Sequence, residues 1–204
     1  LDIAQHQAGV HYISPLLLDY GVNGRVATRQ GNYDAYAAPH GSYPCQGDDR
    51  WCVIAVFSDE EWQALCAEMG NPDWTKDPKF ASLESRQQNL EELDKLIGDW
   101  TINQDDEELM FKLQAAGVPA GRISNAEDQM DKDKQLKARE YYVEREHPEV
   151  GTYHPPRQPC LLSKTPSETK RAPLLGEHND MVFKEILGLS EDEINDLIIN
   201  EILQ

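Results

Sequence analysis

The chain has 204 residues and a formal net charge of −18, from 19 Lys and Arg against 37 Asp and Glu. A surface this acidic repels the phosphate backbone, which argues against a general nucleic-acid-binding protein. With 39% apolar residues the chain can still build a core, so it is not a disordered acidic tail. Its longest strictly apolar run, residues 51–57, is far shorter than the roughly 18 to 20 residues that a membrane span needs, which predicts no membrane association.

The cysteines and the first residues predict a cytoplasmic protein. Cys45, Cys52, Cys66 and Cys160 show no C-x-x-C spacing and are too few to form a disulfide framework. The first 20 residues have no basic start and mix polar residues into the apolar positions, unlike a secretion signal. Leu1 lies inside a predicted helix, so we expect a further segment to precede it.

The predicted elements begin with a helix over residues 1–20, in which apolar residues recur every three or four positions and Pro15 introduces a kink or a new start. Glycines among polar and aromatic residues predict a long loop over residues 21–41. Two strands follow, over residues 42–45 and 51–57. The second is so continuously apolar that we expect it to be buried on both faces.

Three helices are predicted next. Ser58 and Glu61 have the spacing of a capping box, which predicts a helix that ends at Gly70. A turn-rich stretch over residues 71–82 precedes a long amphipathic helix, whose apolar face is Leu90, Leu93, Leu96, Ile97 and Trp100. The acidic run 105–108 fits the positive end of a third helix, which has Leu109, Phe111 and Leu113 as its apolar face and ends at Gly117. A short strand around Arg122 and Ile123 completes an α+β unit over residues 42–123.

The rest of the chain is predicted to be less regular. Residues 131–141 are expected to be helical, residues 142–146 extended and residues 147–151 a turn. Residues 148–173 hold six of the twelve prolines, which predicts an irregular strap over a surface. Asn179 or Asp180 is expected to cap a helix that Gly188 ends, and Ser190 with Glu193 forms a capping box for the last helix.

Most candidate chemistry has a structural explanation. The histidines are isolated, except that His6 and His11 lie five residues apart, which places them poorly on one helix face; we therefore expect no metal site. Cys45, Cys52 and Cys66 occupy predicted core positions. Residues 31–43 stand out, because small residues there allow close backbone approach and three rings, those of Tyr33, Tyr36 and His40, could flank a ligand. An ordinary connector between domains fits this composition equally well.

Seven segments in order resemble the C-terminal half of CoA-transferase family III, the CaiB/BaiF family. They are residues 24–32, 39–45 (P-H-G-S-Y-P-C), 51–56 with 61–62, 117–121 (G-V-P-A-G), 147–151, 162–166 and 172–179. The start of the chain, L-D-I-A, also resembles the helix that follows the family's first half. Each motif alone is weak, whereas seven in the family's order over nearly the whole chain are specific.

The resemblance implies an α/β fold, of which this chain supplies part. Residues 1–30 would be a linker helix from the large domain and residues 31–124 a small α+β domain. Residues 125–204 would return to complete the Rossmann-like large domain. Family members pair as interlocked homodimers, which makes the amino-terminal half or a partner subunit the expected protein partner.

The implied reaction moves coenzyme A from an acyl-CoA donor to a small carboxylic acid through an aspartyl-CoA thioester. The nucleophilic aspartate of the family belongs upstream of the position that matches Leu1. The resemblance therefore assigns no catalytic residue to these 204 residues, and we expect the isolated chain to be inactive. Coenzyme A, as acyl-CoA substrate, is the only cofactor implied, with no metal.

The resemblance also implies which residues surround the site. The active-site loop, which closes over reactive intermediates, corresponds to Ala35, Tyr36, Ala37, Ala38, Pro39, His40 and Gly41. Formyl-CoA transferases carry a run of glycines where this chain has A-Y-A-A, which argues against an oxalate and formate substrate pair. Gln5, Phe57 and Ser58 match positions that contact CoA. Racemases and lyases share the fold, so an acyl-CoA racemase or lyase, or a non-catalytic CoA-binding or dimerisation module, are the alternatives.

Overall fold

The computed structural model describes residue 2 and residues 4–203. It divides the chain into two compact units, Leu1–Ile123 and Ser124–Gln204. The three-part organisation over residues 1–30, 31–124 and 125–204 stays a prediction. Over the described residues, no helix combines the length and the apolar character that a membrane crossing requires.

Two exposed helices open the first unit, which confirms the new start predicted at Pro15 over the alternative of a kink. Helix α1 spans Gln5–Tyr12 and helix α2 spans Ser14–Asn23, with Ile13 between them. Pro15 lies in the first turn of α2, where its missing N–H has no helical partner to lose. Gly24, at φ +66°, ends α2 in the left-handed region. The predicted helical positions Leu1 and Ile3 lie outside the described residues.

A three-stranded antiparallel sheet forms the centre of the first unit. Strands β1 (His40–Pro44), β2 (Trp51–Ala55) and β3 (Ala120–Arg122) stand in the order β1-β2-β3. Cys52 and Ile54 of β2 are buried, whereas Val53 between them is 41% exposed. The prediction that β2 is buried on both faces is therefore wrong, because the core lies against one face of the sheet only.

Four helices and two short 3₁₀ turns surround the core. The helices are α3 (Asp59–Glu68), α4 (Leu83–Gln88), α5 (Leu90–Thr101) and α6 (Asp106–Ala115), and the 3₁₀ turns are Asp73–Lys76 and Pro78–Phe80. Helix α5 packs on β1, and α6 packs on β2 and β3. The buried core is Tyr43, Cys45, Cys52, Ile54, Val56, Trp62, Leu65, Cys66, Phe80, Leu93, Ile97, Leu109, Leu113 and Val118.

The predicted ends of α3 are confirmed, with one difference in its cap. The Ser58 hydroxyl accepts a hydrogen bond from the Glu61 backbone N–H at 3.2 Å, as expected of an N-cap. The Glu61 carboxylate accepts from the N–H of Phe57 at 2.6 Å, one residue earlier than a capping box requires. Gly70, at φ +81°, follows the helix.

Helix α6 has the predicted start and end but a narrower buried face. Asp105 Oδ1 accepts from the N–H groups of Glu107 and Glu108, both at 3.0 Å. Leu109 and Leu113 are buried, whereas Phe111 is 46% exposed, so its assignment to the apolar face is wrong. Residue 111 lies two positions from each of these leucines, and a helix turns such positions to different sides.

The second unit is held by short elements. A π-helical turn (Asp128–Lys132) and helix α7 (Lys134–Ala138) replace the single helix predicted over residues 131–141. Strands β4 (Arg145–His147) and β5 (Gly151–Tyr153) form an antiparallel hairpin around the predicted turn. Of the irregular strap predicted over residues 148–173, residues 151–153 form β5 instead, and most of residues 154–173 lies outside regular structure, as expected.

The carboxyl-terminal helices are partly as predicted. The first is a π-helix (Met181–Ile186), and its N-cap residue Asp180 makes no side-chain cap bond to the described residues. Of the two predicted caps, Asn179 or Asp180, the second is therefore wrong and the first stays a prediction. Helix α8 (Glu191–Ile199) has the predicted capping box. The Glu193 carboxylate accepts from the Ser190 N–H at 2.8 Å, and the Ser190 hydroxyl accepts from the Glu193 N–H at 3.4 Å.

Candidate active site

The predicted loop over residues 35–41 is half buried and half exposed. Ala37, Ala38 and Pro39 are buried, while Tyr36 is 76% exposed. The Ala38 N–H donates to the Val56 carbonyl at 3.0 Å, and the Val56 N–H donates to the Pro39 carbonyl at 2.9 Å. These two bonds extend the β1–β2 ladder into the loop, so its second half belongs to the sheet.

A buried arginine that the sequence analysis did not single out holds this half of the loop. Arg86 Nε donates to the Ala38 carbonyl at 2.8 Å, and Nη1 donates to the Phe80 carbonyl at 3.3 Å. Nη2 pairs with Asp59 Oδ1 at 3.3 Å, and the guanidinium lies 5.0 Å from the Trp62 ring centre. Burial lowers the pKa of Arg86, and Asp59 partly offsets that effect.

The exposed half of the loop is held by one side-chain hydrogen bond from α4 and one local turn. Gln87 Nε2 donates to the Asp34 carbonyl at 3.0 Å. The Asp34 carboxylate in turn accepts from the Tyr36 N–H at 2.7 Å, which is an Asx turn. Ala35 and Tyr36 are thus the exposed tip between two hydrogen-bonded residues, Asp34 and Ala38.

His40, at the start of β1, faces Asn32 and Phe57. Its Nδ1 lies 2.7 Å from the Asn32 carbonyl oxygen, which only accepts, so Nδ1 carries the proton of that bond. In the neutral ring Nε2 then remains an acceptor. The ring meets Phe57 edge to face, with centroids 6.1 Å apart. The structure therefore brings together two residues that the resemblance assigned to different roles.

A pocket of about 420 Å³ opens beside His40. It is lined by Asn32, His40, Gly41, Ser42, Val53, Ala55, Pro119, Ala120 and Gly121. Val53 and Ala55 alternate with the core residues Cys52 and Ile54, so the pocket lies on the face of the sheet that the core leaves open. Its walls combine small apolar side chains with an imidazole, an amide and a hydroxyl, a composition typical of a ligand site.

The three predicted CoA contacts are in different places. Phe57 is 52% exposed and touches His40, whereas Ser58 caps α3. Gln5 is exposed on α1, and of the described residues that line the pocket none belongs to α1. The first turn of α3 carries three carboxylates, and the pKa of one of them, Glu60, is lowered by its own backbone N–H and by the Ser58 hydroxyl.

A tyrosine–carboxylate pair beneath β1 was also missed. Tyr43 Oη donates to Asp94 Oδ1 of α5 at 2.6 Å. Burial raises the pKa of the tyrosine, and its bond to Asp94 raises it further. Burial also raises the pKa of Asp94, and the bond from Tyr43 offsets only part of that rise. A Cβ atom on Gly41 would lie 3.1 Å from Tyr43 Oη, so a glycine leaves room for this pair.

Metal ligands and reactive thiols do not gather at the site. In the part of the chain that the structure describes, no three His, Cys, Asp or Glu side chains are grouped so that they could hold a metal ion. Cys45, Cys52 and Cys66 are buried, and burial raises the pKa of their thiols to about 11, 12 and 11. These thiols are core packing residues, as their positions in the sequence predict.

Comparison with known proteins identifies the family. A family model for CoA-transferase family III matches residues 1–179. The succinyl-CoA–D-citramalate CoA-transferase of Chloroflexus aurantiacus is 32% identical over 195 residues, which are 95% of this chain and 48% of that protein. The formyl-CoA:oxalate CoA-transferase of Bradyrhizobium diazoefficiens is 30% identical over 177 residues, 85% of this chain and 41% of that protein. The chain thus spans about half the length of these relatives.

The fold agrees with the family match. The crystal structure of a CaiB/BaiF family protein from Brucella suis superposes with a TM-score of 0.74 at 25% identity, over 86% of this chain and 45% of that one. The mixed α/β architecture and the sequence resemblance to the family are therefore confirmed. The chain belongs to CoA-transferase family III.

Proposed function

We propose that these residues form the small domain and the closing segments of an enzyme that transfers CoA from an acyl-CoA donor to a small carboxylic acid. The observation that carries the proposal is the loop tip at Ala35 and Tyr36, which lies in sequence just before the pocket residue His40. The family match and the two relatives named as CoA-transferases support it.

The proposed reaction needs no oxidant, reductant or metal. An aspartate carboxylate attacks the thioester carbonyl, and CoA thiolate leaves as a mixed anhydride forms. The thiolate then attacks the aspartyl carbonyl, which releases the donor acid and gives an aspartyl-CoA thioester. The acceptor carboxylate attacks that thioester, and the thiolate it expels attacks the acceptor carbonyl, which gives the new acyl-CoA and restores the aspartate.

The nucleophilic aspartate of this scheme lies outside the 204 residues, on the amino-terminal half or on a partner subunit of an interlocked cytoplasmic homodimer. The shares of 48% and 41% of the relatives' lengths support a partial chain. Asp19 and Asp34 are not assigned the role. Asp34 already accepts the Tyr36 N–H, and Asp19 forms an exposed pair with Arg25.

The loop's contribution is to exclude water. Mixed anhydrides and thioesters hydrolyse, so a transferase must cover them while the acceptor acid reacts. The exposed Tyr36 ring at the loop tip can provide that cover, while the buried Ala37, Ala38 and Pro39 hold its base. Because the tip carries side chains where formyl-CoA transferases have glycines, we propose an acceptor other than the oxalate and formate pair.

The charges at α3 indicate which part of CoA meets Phe57 and Ser58. Asp59, Glu60 and Glu61 occupy the first turn of the helix, directly after these two residues. Carboxylates there repel the CoA phosphates and cancel the attraction of the helix dipole for anions. We therefore propose that Phe57 and Ser58 contact an uncharged part, the pantetheine arm, and that the phosphates lie elsewhere.

Isothermal titration with CoA tests this proposal. We expect the 204-residue chain to bind CoA, and Phe57→Ala to weaken binding about tenfold, because an apolar contact of this size contributes about 1–2 kcal/mol. Phe111→Ala is the matched control, since Phe111 is 46% exposed and lies on α6, where we place no CoA contact. An equal loss of CoA affinity in Phe57→Ala and Phe111→Ala would contradict a CoA contact at Phe57.

Transfer assays separate the catalytic proposal from simple binding. We expect the isolated chain to give no new acyl-CoA with acyl-CoA donors and small carboxylic acids, and the enzyme that contains it to do so. Turnover by the isolated chain would place a nucleophile within these residues and contradict the assignment. Binding without turnover in the enzyme that contains it would instead indicate a non-catalytic module.

A further inference from the structure

Two adjacent side chains of α4 hold the two ends of the loop tip. Arg86 donates to the carbonyl of Ala38 at 2.8 Å, and Gln87 donates to the carbonyl of Asp34 at 3.0 Å. These carbonyls stand on either side of residues 35–37. We propose that Arg86 and Gln87 are positioning residues of unequal strength, with Arg86 fixing the loop at Ala38 and Gln87 holding it releasably at Asp34. This inference rests on the active-site role proposed for this loop.

The Arg86 end is the fixed end. Its guanidinium is fully buried, and three of its nitrogens contact the Ala38 carbonyl, the Phe80 carbonyl and the Asp59 carboxylate. A buried charge that loses its partners carries a large desolvation penalty, so these bonds stay formed in the native state. The bonds between Ala38, Pro39 and Val56 hold the same backbone from the other side.

The Gln87 end is the one that releases. A single neutral hydrogen bond, from a half-buried side chain, fastens the Asp34 carbonyl. Such bonds to neutral acceptors contribute less than bonds that involve a charged group. The neighbouring bond from the Tyr36 N–H to the Asp34 carboxylate is local and exposed. The loop therefore opens from residue 34 and turns about Ala38, which carries the Tyr36 ring over or away from the pocket side of β1.

Hydrogen exchange on the full 204-residue chain tests the asymmetry at single amides. We expect Gln87→Ala to speed exchange of the Tyr36 amide severalfold and to leave the Ala38 and Val56 amides unchanged. Gln88→Ala is the matched control, because Gln88 follows on the same helix and its side chain donates to Glu84 at 3.4 Å instead of to the loop. Gln87→Lys keeps a donor at this position and is expected to restore slow exchange at Tyr36.

The charged end is tested with Arg86→Lys. Lysine keeps the positive charge beside Asp59 but lacks the planar fork that reaches two carbonyls and a carboxylate at once. We expect exchange of the Ala38 amide to rise roughly tenfold or more, with little change at core amides such as that of Leu113. If this variant fails to fold, Gln87→Ala and its lysine rescue decide the inference by themselves.

Three outcomes would overturn the positioning role. They are equal exchange in Gln87→Ala and Gln88→Ala, no recovery in Gln87→Lys, and a uniform rise at the loop and the core in a folded Arg86→Lys chain. The proposed function has a separate readout, since CoA should slow exchange at Tyr36 in the unmodified chain. If CoA does not slow exchange of the Tyr36 amide, but the Gln87 and Arg86 variants exchange as expected, the active-site role of the loop is contradicted. The positioning role of Arg86 and Gln87 then still holds.

Discussion

Replacing Tyr43 with phenylalanine should destabilise the first unit in a pH-dependent way. The hydroxyl donates to Asp94 at 2.6 Å, and the carboxyl is partly buried. A hydrogen bond to a charged group contributes about 1.5–3 kcal/mol and one to a neutral group about 0.5–1.5 kcal/mol. We therefore expect Tyr43→Phe to lower the free energy of unfolding by about 2 kcal/mol at pH 7 and by about 1 kcal/mol at pH 3.5, where Asp94 is protonated.

The sign of the pH effect follows from the raised pKa of Asp94. Because burial raises the pKa of this carboxyl in the folded state, its contribution to stability is present below its unfolded pKa of about 3.9. That contribution is lost as the pH rises through the folded pKa. The Tyr43 hydroxyl limits the loss by stabilising the carboxylate, so removing the hydroxyl matters more at neutral pH.

Urea unfolding followed by tryptophan fluorescence measures this effect in one unit alone. All four tryptophans lie in the first unit, namely Trp51, Trp62, Trp74 and Trp100. Tyr12→Phe is the control, because Tyr12 is 89% exposed, and we expect it to change stability by less than 0.5 kcal/mol. An equal loss at both pH values, or a larger loss at pH 3.5, would refute the reasoning.

Three further predictions follow from packing and exposure. In urea unfolding, Gly41→Ala should lower the free energy of unfolding by about 1–2 kcal/mol, because the new Cβ would lie 3.1 Å from the Tyr43 hydroxyl. Gly21→Ala, whose Cβ would have no atom within 4 Å, should instead stabilise α2 by up to about 1 kcal/mol. A thiol-reactive dye at pH 8 should quickly label about one cysteine per chain, the exposed Cys160. The raised pKa of the three buried thiols keeps them protonated and therefore slow to react. Fast labelling of two or more cysteines would contradict their burial. Leu113→Ala should lower the free energy of unfolding by about 2–5 kcal/mol in the same assay, because it leaves a cavity at a fully buried position. A decrease of less than about 1 kcal/mol would show that α6 packs differently.

Helix ends in this chain are predictable because their signals are local. Ser58 and Gly70 bound α3, and Ser190 begins α8 through a capping box, since each acts on backbone groups within a few residues. Asp180 shows the limit of such reasoning. It has a suitable residue type at the start of a helix, yet the π-helical turn that follows places it without a side-chain cap bond to the described residues.

Burial depends on neighbours that a sequence pattern does not specify. The apolar run of β2 predicts two buried faces, but the core meets only one of them, which leaves Val53 as part of a pocket wall. The pattern of α6 likewise predicts that Phe111 is on its apolar face, yet Phe111 is 46% exposed. Apolar residues in a sequence indicate which positions can be buried, and the packing of helices and strands decides which of them are buried.

The loop itself was predictable, whereas its supports were not. Composition indicates residues 31–43 and the family resemblance indicates residues 35–41, but Arg86 has the pattern of an ordinary solvated cation on an amphipathic helix. Its burial depends on long-range contacts with the Ala38 carbonyl and with Asp59. The Tyr43–Asp94 pair was missed for the same reason, because its members lie on β1 and α5 and meet only in the folded chain.

The position of β3 has a consequence for how this chain folds. Strands β1 and β2 form a local hairpin, but β2 pairs with β3 only after four intervening helices, α3 to α6. Long-range pairing requires closure of a large loop, so β3 joins the sheet late, and ribosome-bound chains that end before residue 120 expose one edge of β2. That unpaired edge, not the finished domain, is where self-association during synthesis is expected to begin.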